Sequence, residues 1–225
     1  MRLIMRLLAV TAGDAAQGRI TEADEVVGTI DFGGTLGLYL FGGVFPGLLS
    51  GAVYVVFRPL LPSGGLGGVV FGLLHLVIAA TRVDPLRPEN PDFDIVGPGW
   101  LSVVTFSLAV VLHGMAVAAF ANRYSTTLPP KASGRAERIR TFAPVALPAL
   151  MLVPGAALLI FISVGLVITV LLSQVTPLVS ALRSRASVVA GRAVLAVVVL
   201  ALLPGSLTDL RDVVVRDGSA TSSAR

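Results

Sequence analysis

The chain has 225 residues, of which 55% are hydrophobic and only 13% charged, with a formal net charge of +4. A soluble domain carries about 25% charged residues and breaks its apolar stretches with polar loops. This composition excludes that class and points to an all-α, polytopic membrane helix bundle. There is no cysteine, so disulfides and thiolate chemistry are excluded.

The excess of basic residues does not call for nucleic acid. Arginine and lysine at membrane-flanking segments set orientation and meet anionic headgroups. All but one of the basic residues are arginine, which, with the Ala/Val/Gly richness, marks a GC-rich bacterial genome.

Residues 1–31 form a juxtamembrane segment. Met1 to Ala12 combines arginines with an apolar stretch, as a signal peptide does, but Arg6 breaks that stretch and no small-x-small site follows. A short interfacial helix is expected there. The alternatives are a cleaved signal and the tail of a span lying upstream. Thr21, three residues before Asp24, predicts a weakly capped short helix.

Charge-free apolar runs then predict about five transmembrane helices, at 34–57, 64–81, 99–121, 146–173 and 188–207, within a bundle over 32–208. The run over 141–182 is long enough for two crossings. It is read as one, because Pro154-Gly155 lies near its start and Thr176-Pro177 and Ser180 suit the interface. Residues 209–225 read as a polar tail, disordered after Asp217.

Gly43, Gly47 and Gly51 repeat every four residues in the first span, and Gly64, Gly68 and Gly72 do so in the second. Residues four apart share a helix face. Small residues there let another backbone approach, which matters where lipid removes the hydrophobic drive between helices. An antiparallel hairpin packed glycine to glycine across the Arg58–Pro62 turn is expected. The alternative is a ladder facing a second copy or another membrane protein. Ser63 to Gly68 does not fit a phosphate-binding loop, since no GxGxxG register and no following Lys-Ser/Thr occur.

The loop Arg82 to Gly99 holds four prolines and four acids, and the segment 122–140 is densely basic. That density predicts a cytoplasmic 122–140 segment. With five spans, segments 58–63 and 122–140 and the C-terminus share one side. The N-terminus and segments 82–98 and 183–192 share the other. Asp92 and Asp94 alternate but lack the glycine and glutamate of a calcium loop, so an exposed turn is expected, with Phe93 and Trp100 as possible headgroup-level anchors.

His75 and His113 are the two histidines, and both fall inside predicted spans, where an ionisable residue is a functional candidate by default. By helical rise His75 lies about 10 Å inside Arg82 and His113 about 21 Å inside Gly99. The pair is therefore expected to be too far apart for contact, and each ring to play a structural part. Two histidines with no nearby carboxylate make a poor metal site, so no metal and no cofactor are expected. No nucleophile elbow, HExxH or Walker motif occurs, and an enzyme is not expected.

The succession GTIDFGGTLGL, YVVFRPLLP, NPDFD and LHG resembles an uncharacterised group of multi-pass membrane proteins from actinobacteria, over roughly residues 5–123. The resemblance implies membrane location and no known activity. The expected function is a non-enzymatic packing or accessory component of the bacterial plasma membrane, partnered by the lipid bilayer. One alternative is a small transporter or channel component using His75 and His113. Another is a lipid-acting enzyme with Arg82, Asp92, Asp94 or the histidines at an interfacial site.

Overall fold

A computed structural model describes residues 2–127 and 184–220. Among the described residues the fold is all-α, with one isolated bridge, Ile20 to Val26, and no strand. Three helical stretches are long and apolar enough to cross a bilayer: Phe32–Leu60, Gly99–Arg123 and Arg185–Val215. A shorter apolar helix, Gly65–Ala80, lies between the first two. The span expected over 146–173 lies outside the described residues.

Helix α1, Arg2–Thr11, is amphipathic. It turns Leu8 into a core shared with Val27, Leu86, Phe93, Val96, Phe106 and Val213. Leu3 and Val10 stay exposed on its other face. The capped helix expected at Thr21 does not form. The chain folds back instead: Thr21 and Glu25 bond through their backbones, the Thr21 hydroxyl accepts the Glu25 N–H, and Asp24 takes a left-handed conformation. A threonine hydroxyl serves such a turn as readily as a helix cap.

The first span joins α2 (Phe32–Tyr39) to α3 (Phe45–Phe57) through a π-helical turn, Leu40–Val44. Asp31 starts it by accepting the Gly34 N–H. The wide turn directly precedes Pro46, which has no N–H to offer Gly42 and whose ring crowds that carbonyl. After the Arg58–Leu60 turn, α4 (Gly65–His75) continues through a second π-helical turn, Leu76–Ala80. Helix α5 (Gly99–Thr127) runs antiparallel to α4, and α6 (Arg185–Ala220) completes the described bundle.

The glycine ladders do not meet. A side chain added at Gly68 would reach the Met115 backbone at 2.8 Å, and one at Gly72 the Val111 backbone at 2.7 Å. Gly114 faces Gly72 in return, at 2.5 Å. The ladder of the second span therefore packs on the third span and not on the first. Around Gly47 and Gly51 there is open space, and Gly64 supplies a left-handed turn before α4. The reason is that packing needs a complementary surface. Gly114 with Ala118 provides one for Gly68 and Gly72, while α3 meets α4 through bulky Tyr54 and Phe71.

Helix α6 sets the ends of the bundle. Its start lies against the Arg58–Leu60 turn: Gly191 packs on Leu60, and the Arg192 Nε–H donates to the Leu60 carbonyl at 2.9 Å. Its far end lies at Gly99, with Val213 fully buried. The expected placement of 183–192 beside the N-terminus is thus reversed. The segment sits with 58–63, and the end of α6 sits with α1 and the 82–98 loop.

The expected tail is helical as far as Ala220. Ser206, Leu210 and Val213 recur at helical spacing on the face turned to the bundle, while Arg211 and Asp212 face out. Residues 221–225 lie outside the described residues.

Candidate functional site

The structure brings together two of the sequence-predicted candidates that were expected to stay apart. The His75 and His113 rings meet edge to face, with centroids 6.0 Å apart. Phe71 adds an edge contact to His75 at 5.7 Å, and Tyr54 one to Phe71 at 5.2 Å. Both histidines are half-buried, while Tyr54 and Phe71 are closed off.

Two features overturn the expected separation. The register of Gly68 and Gly72 on Met115 and Val111 leaves the histidines roughly 7.5 Å apart along the axes at 1.5 Å per residue. Helical side chains also lean toward their own N-terminus. In this antiparallel pair that tilt carries His75 deeper and His113 shallower, so the rings converge.

Ser50 on α3 completes the cluster. Its hydroxyl donates to the Pro46 carbonyl at 2.6 Å, and His113 Nε2 lies 2.9 Å from the same oxygen. A hydroxyl has one proton to give. With that proton on Pro46, His113 Nε2 is the donor, and in the neutral ring Nδ1 then carries no hydrogen. His75 makes no hydrogen bond among the described residues. Sequence reasoning did not single out Ser50. The signal was a serine midway along a mostly apolar run, 2% exposed once folded.

The interfacial candidates do not converge on a site. Arg82 turns toward α6: its guanidinium donates to the Val77 carbonyl, to Ser206 Oγ at 3.0 Å and to the Leu202 carbonyl at 3.3 Å. The Ser206 hydroxyl in turn has the Val77 carbonyl at 2.9 Å and the Leu202 carbonyl at 3.1 Å as acceptors for its one proton. These bonds tie the end of the second span to α6 beside Pro204, where a missing N–H leaves the helix ladder one bond short.

Asp94 is exposed, but Asp92 is not the exposed turn residue expected. Its carboxylate accepts the Glu22 N–H at 2.7 Å, and Asn90 caps the Pro91–Asp94 turn by accepting the Asp92 N–H. Phe93 is buried in the core, so it is no headgroup anchor, whereas Trp100 remains exposed. Glu22 also pairs with Arg87. The loop thus works as a clasp between the N-terminal segment and the bundle. Among the described residues no group of three or more His, Asp or Glu could hold a metal ion.

Partial burial pushes the Asp92 carboxyl above its ordinary range. The Glu22 N–H opposes this, and the Glu22 charge adds to it. Ionising Asp92 therefore costs the folded state more than the unfolded one. Its contribution to stability is full below the ordinary carboxylate range and is lost as pH rises through the raised value. Asp92→Asn keeps the acceptor oxygen and removes the charge. In detergent it should melt higher than the parent at neutral pH and level with it in acid; a lower melting temperature at neutral pH would refute this account.

No family model, curated protein or solved structure matches this chain.

Proposed function

We propose that this chain is a multi-pass protein of a bacterial plasma membrane that acts as a non-enzymatic packing or accessory component. What supports this reading is where the polar side chains of the spans go. The Ser50 and Thr105 hydroxyls bond carbonyls of their own helices, while the bonds of His113 to Ser50, Arg82 to Ser206 and Ser206 to the Val77 carbonyl run between helices. In a bilayer such bonds are the means of fixing helices to one another. Against the catalytic alternative, Arg82 and Asp92 bond to separate parts of the fold and Asp94 faces solvent, so these three do not gather with the histidines.

The count of spans is part of the reading. Arg123 on α5 and Arg185 on α6 lie at the same end of the bundle. The three stretches of crossing length and the shorter helix Gly65–Ala80 are the described part of that count.

One observation favours the second reading, a small transporter or channel component: the contact of His75 with His113. Reconstitution into vesicles holding a pH gradient and a pH-sensitive dye separates the two. The accessory reading expects the gradient to decay as in empty vesicles. Dissipation by the parent that His75→Gln abolishes would replace it with the transport reading.

A further inference from the structure

The two ends of the described bundle differ sharply in charge. At one end stand Arg58, Arg123, Arg185 and Arg192, all exposed, and no described aspartate or glutamate. At the other end gather the described carboxylates, from Asp14 and Glu22 through Asp84 and Asp92 to Asp209 and Asp212, interspersed with Arg2, Arg6, Arg19, Arg82, Arg87 and Arg211. Sequence order hid this, because the start of α6 was expected on the other side. Folding places Arg192 on the Leu60 carbonyl and so beside Arg58.

We propose that this arginine end is a binding surface for anionic phospholipid headgroups and therefore lies in the cytoplasmic leaflet, with α1 and the end of α6 on the opposite side. The proposal rests on the membrane-spanning reading and is independent of whether the histidines carry protons. Three observations carry it. The side chains of Arg58 and Arg185 make no hydrogen bond or ion pair among the described residues, and exposed Arg192 commits only its Nε. A planar guanidinium matches phosphate oxygens in a two-point fork. Close to the arginines in sequence, Val55, Leu66, Val189 and Val194 are exposed and apolar, so the charges begin where a lipid-facing band ends. Long basic side chains at that boundary reach headgroups while their stems stay in hydrocarbon.

The surface faces a lipid and not an acidic protein, because the arginines sit at the ends of three different spans around the bundle rim, with apolar surface directly inward of them. The cytoplasmic leaflet is the anionic one, and it attracts a rim of arginines that has no neighbouring described acids to neutralise it.

The test uses the full chain in nanodiscs of phosphatidylcholine, with and without phosphatidylglycerol. Phosphatidylglycerol should raise the melting temperature of the parent, and salt should shrink the rise. The triple variant Arg58→Gln, Arg185→Gln, Arg192→Gln should lose it. Arg19→Gln with Arg211→Gln, at the acidic end, should keep it. Inorganic phosphate added to phosphatidylcholine discs should give no rise. An equal rise in the triple variant, or the same rise from inorganic phosphate, would overturn the lipid assignment. In intact cells a cysteine at Ser63 should resist an impermeant thiol reagent while one at Ala23 reacts, and the reverse pattern would overturn the leaflet.

Discussion

Gly114→Leu and Gly72→Leu should each abolish recovery of folded protein, while Gly47→Leu should be recovered normally. At Gly72 and Gly114 an added side chain would meet the backbone of the opposing helix, at 2.7 Å and 2.5 Å. Backbone cannot rotate away as a side-chain tip can, so α4 and α5 must separate. Overpacking of an ordinary core costs about 1–3 kcal/mol. Separating the two helices also loses the contact on which the bundle depends, so the cost exceeds about 3 kcal/mol. At Gly47 nothing lies within 4 Å, and a change at such a site stays within about 0.5 kcal/mol. Folded yield and thermal unfolding in a mild detergent measure all three, with Leu49→Ala, an exposed site, as the reference. Equal losses at Gly47 and Gly72 would mean that both ladders are packed and that the described seam is wrong.

Ser50→Ala should destabilise the protein by about 1–2 kcal/mol, the upper part of the range for hydrogen bonds between membrane helices. The change leaves His113 Nε2–H without its partner in a half-buried site, and an unpaired donor costs more than a bond contributes. His113→Leu removes the donor as well, so Ser50→Ala should cost clearly less in that background. The double-mutant cycle isolates this coupling. His113→Gln, which keeps an N–H, should fall between the parent and His113→Leu. Additive losses would show that the two side chains do not bond. The cycle reads helix fixation and is blind to proton transport, so it stands beside the vesicle assay and does not repeat it.

The sequence by itself determined the class of this protein and the places where helices begin. Apolar run length fixes a membrane helix because hydrocarbon demands about 20 residues and offers the backbone no other partner. Hence Phe32–Leu60, Gly99–Arg123 and Arg185–Val215 lie close to the runs read from composition. The helix expected over 64–81 is present as Gly65–Ala80, shorter than the three stretches of crossing length. It is embedded between α5 and α6, and that is a tertiary fact.

Partnership was not legible. The ladder of Gly68 and Gly72 announced a close approach but not its partner, because spacing describes one face of one helix. Complementarity with Gly114 and Ala118 decided it. The histidine depths went wrong for a related reason: axial rise was counted, but the tilt of side chains toward each helix N-terminus was not. Arg82 and Asp92 were read as free interfacial charges, and folding gave them Ser206 and the Glu22 N–H as partners. Sidedness was decided last, by the bond from Arg192 to Leu60. A count of basic residues per segment assumes which segments share an end, and only the packing of α6 on α5 and on the Arg58–Leu60 turn supplies that.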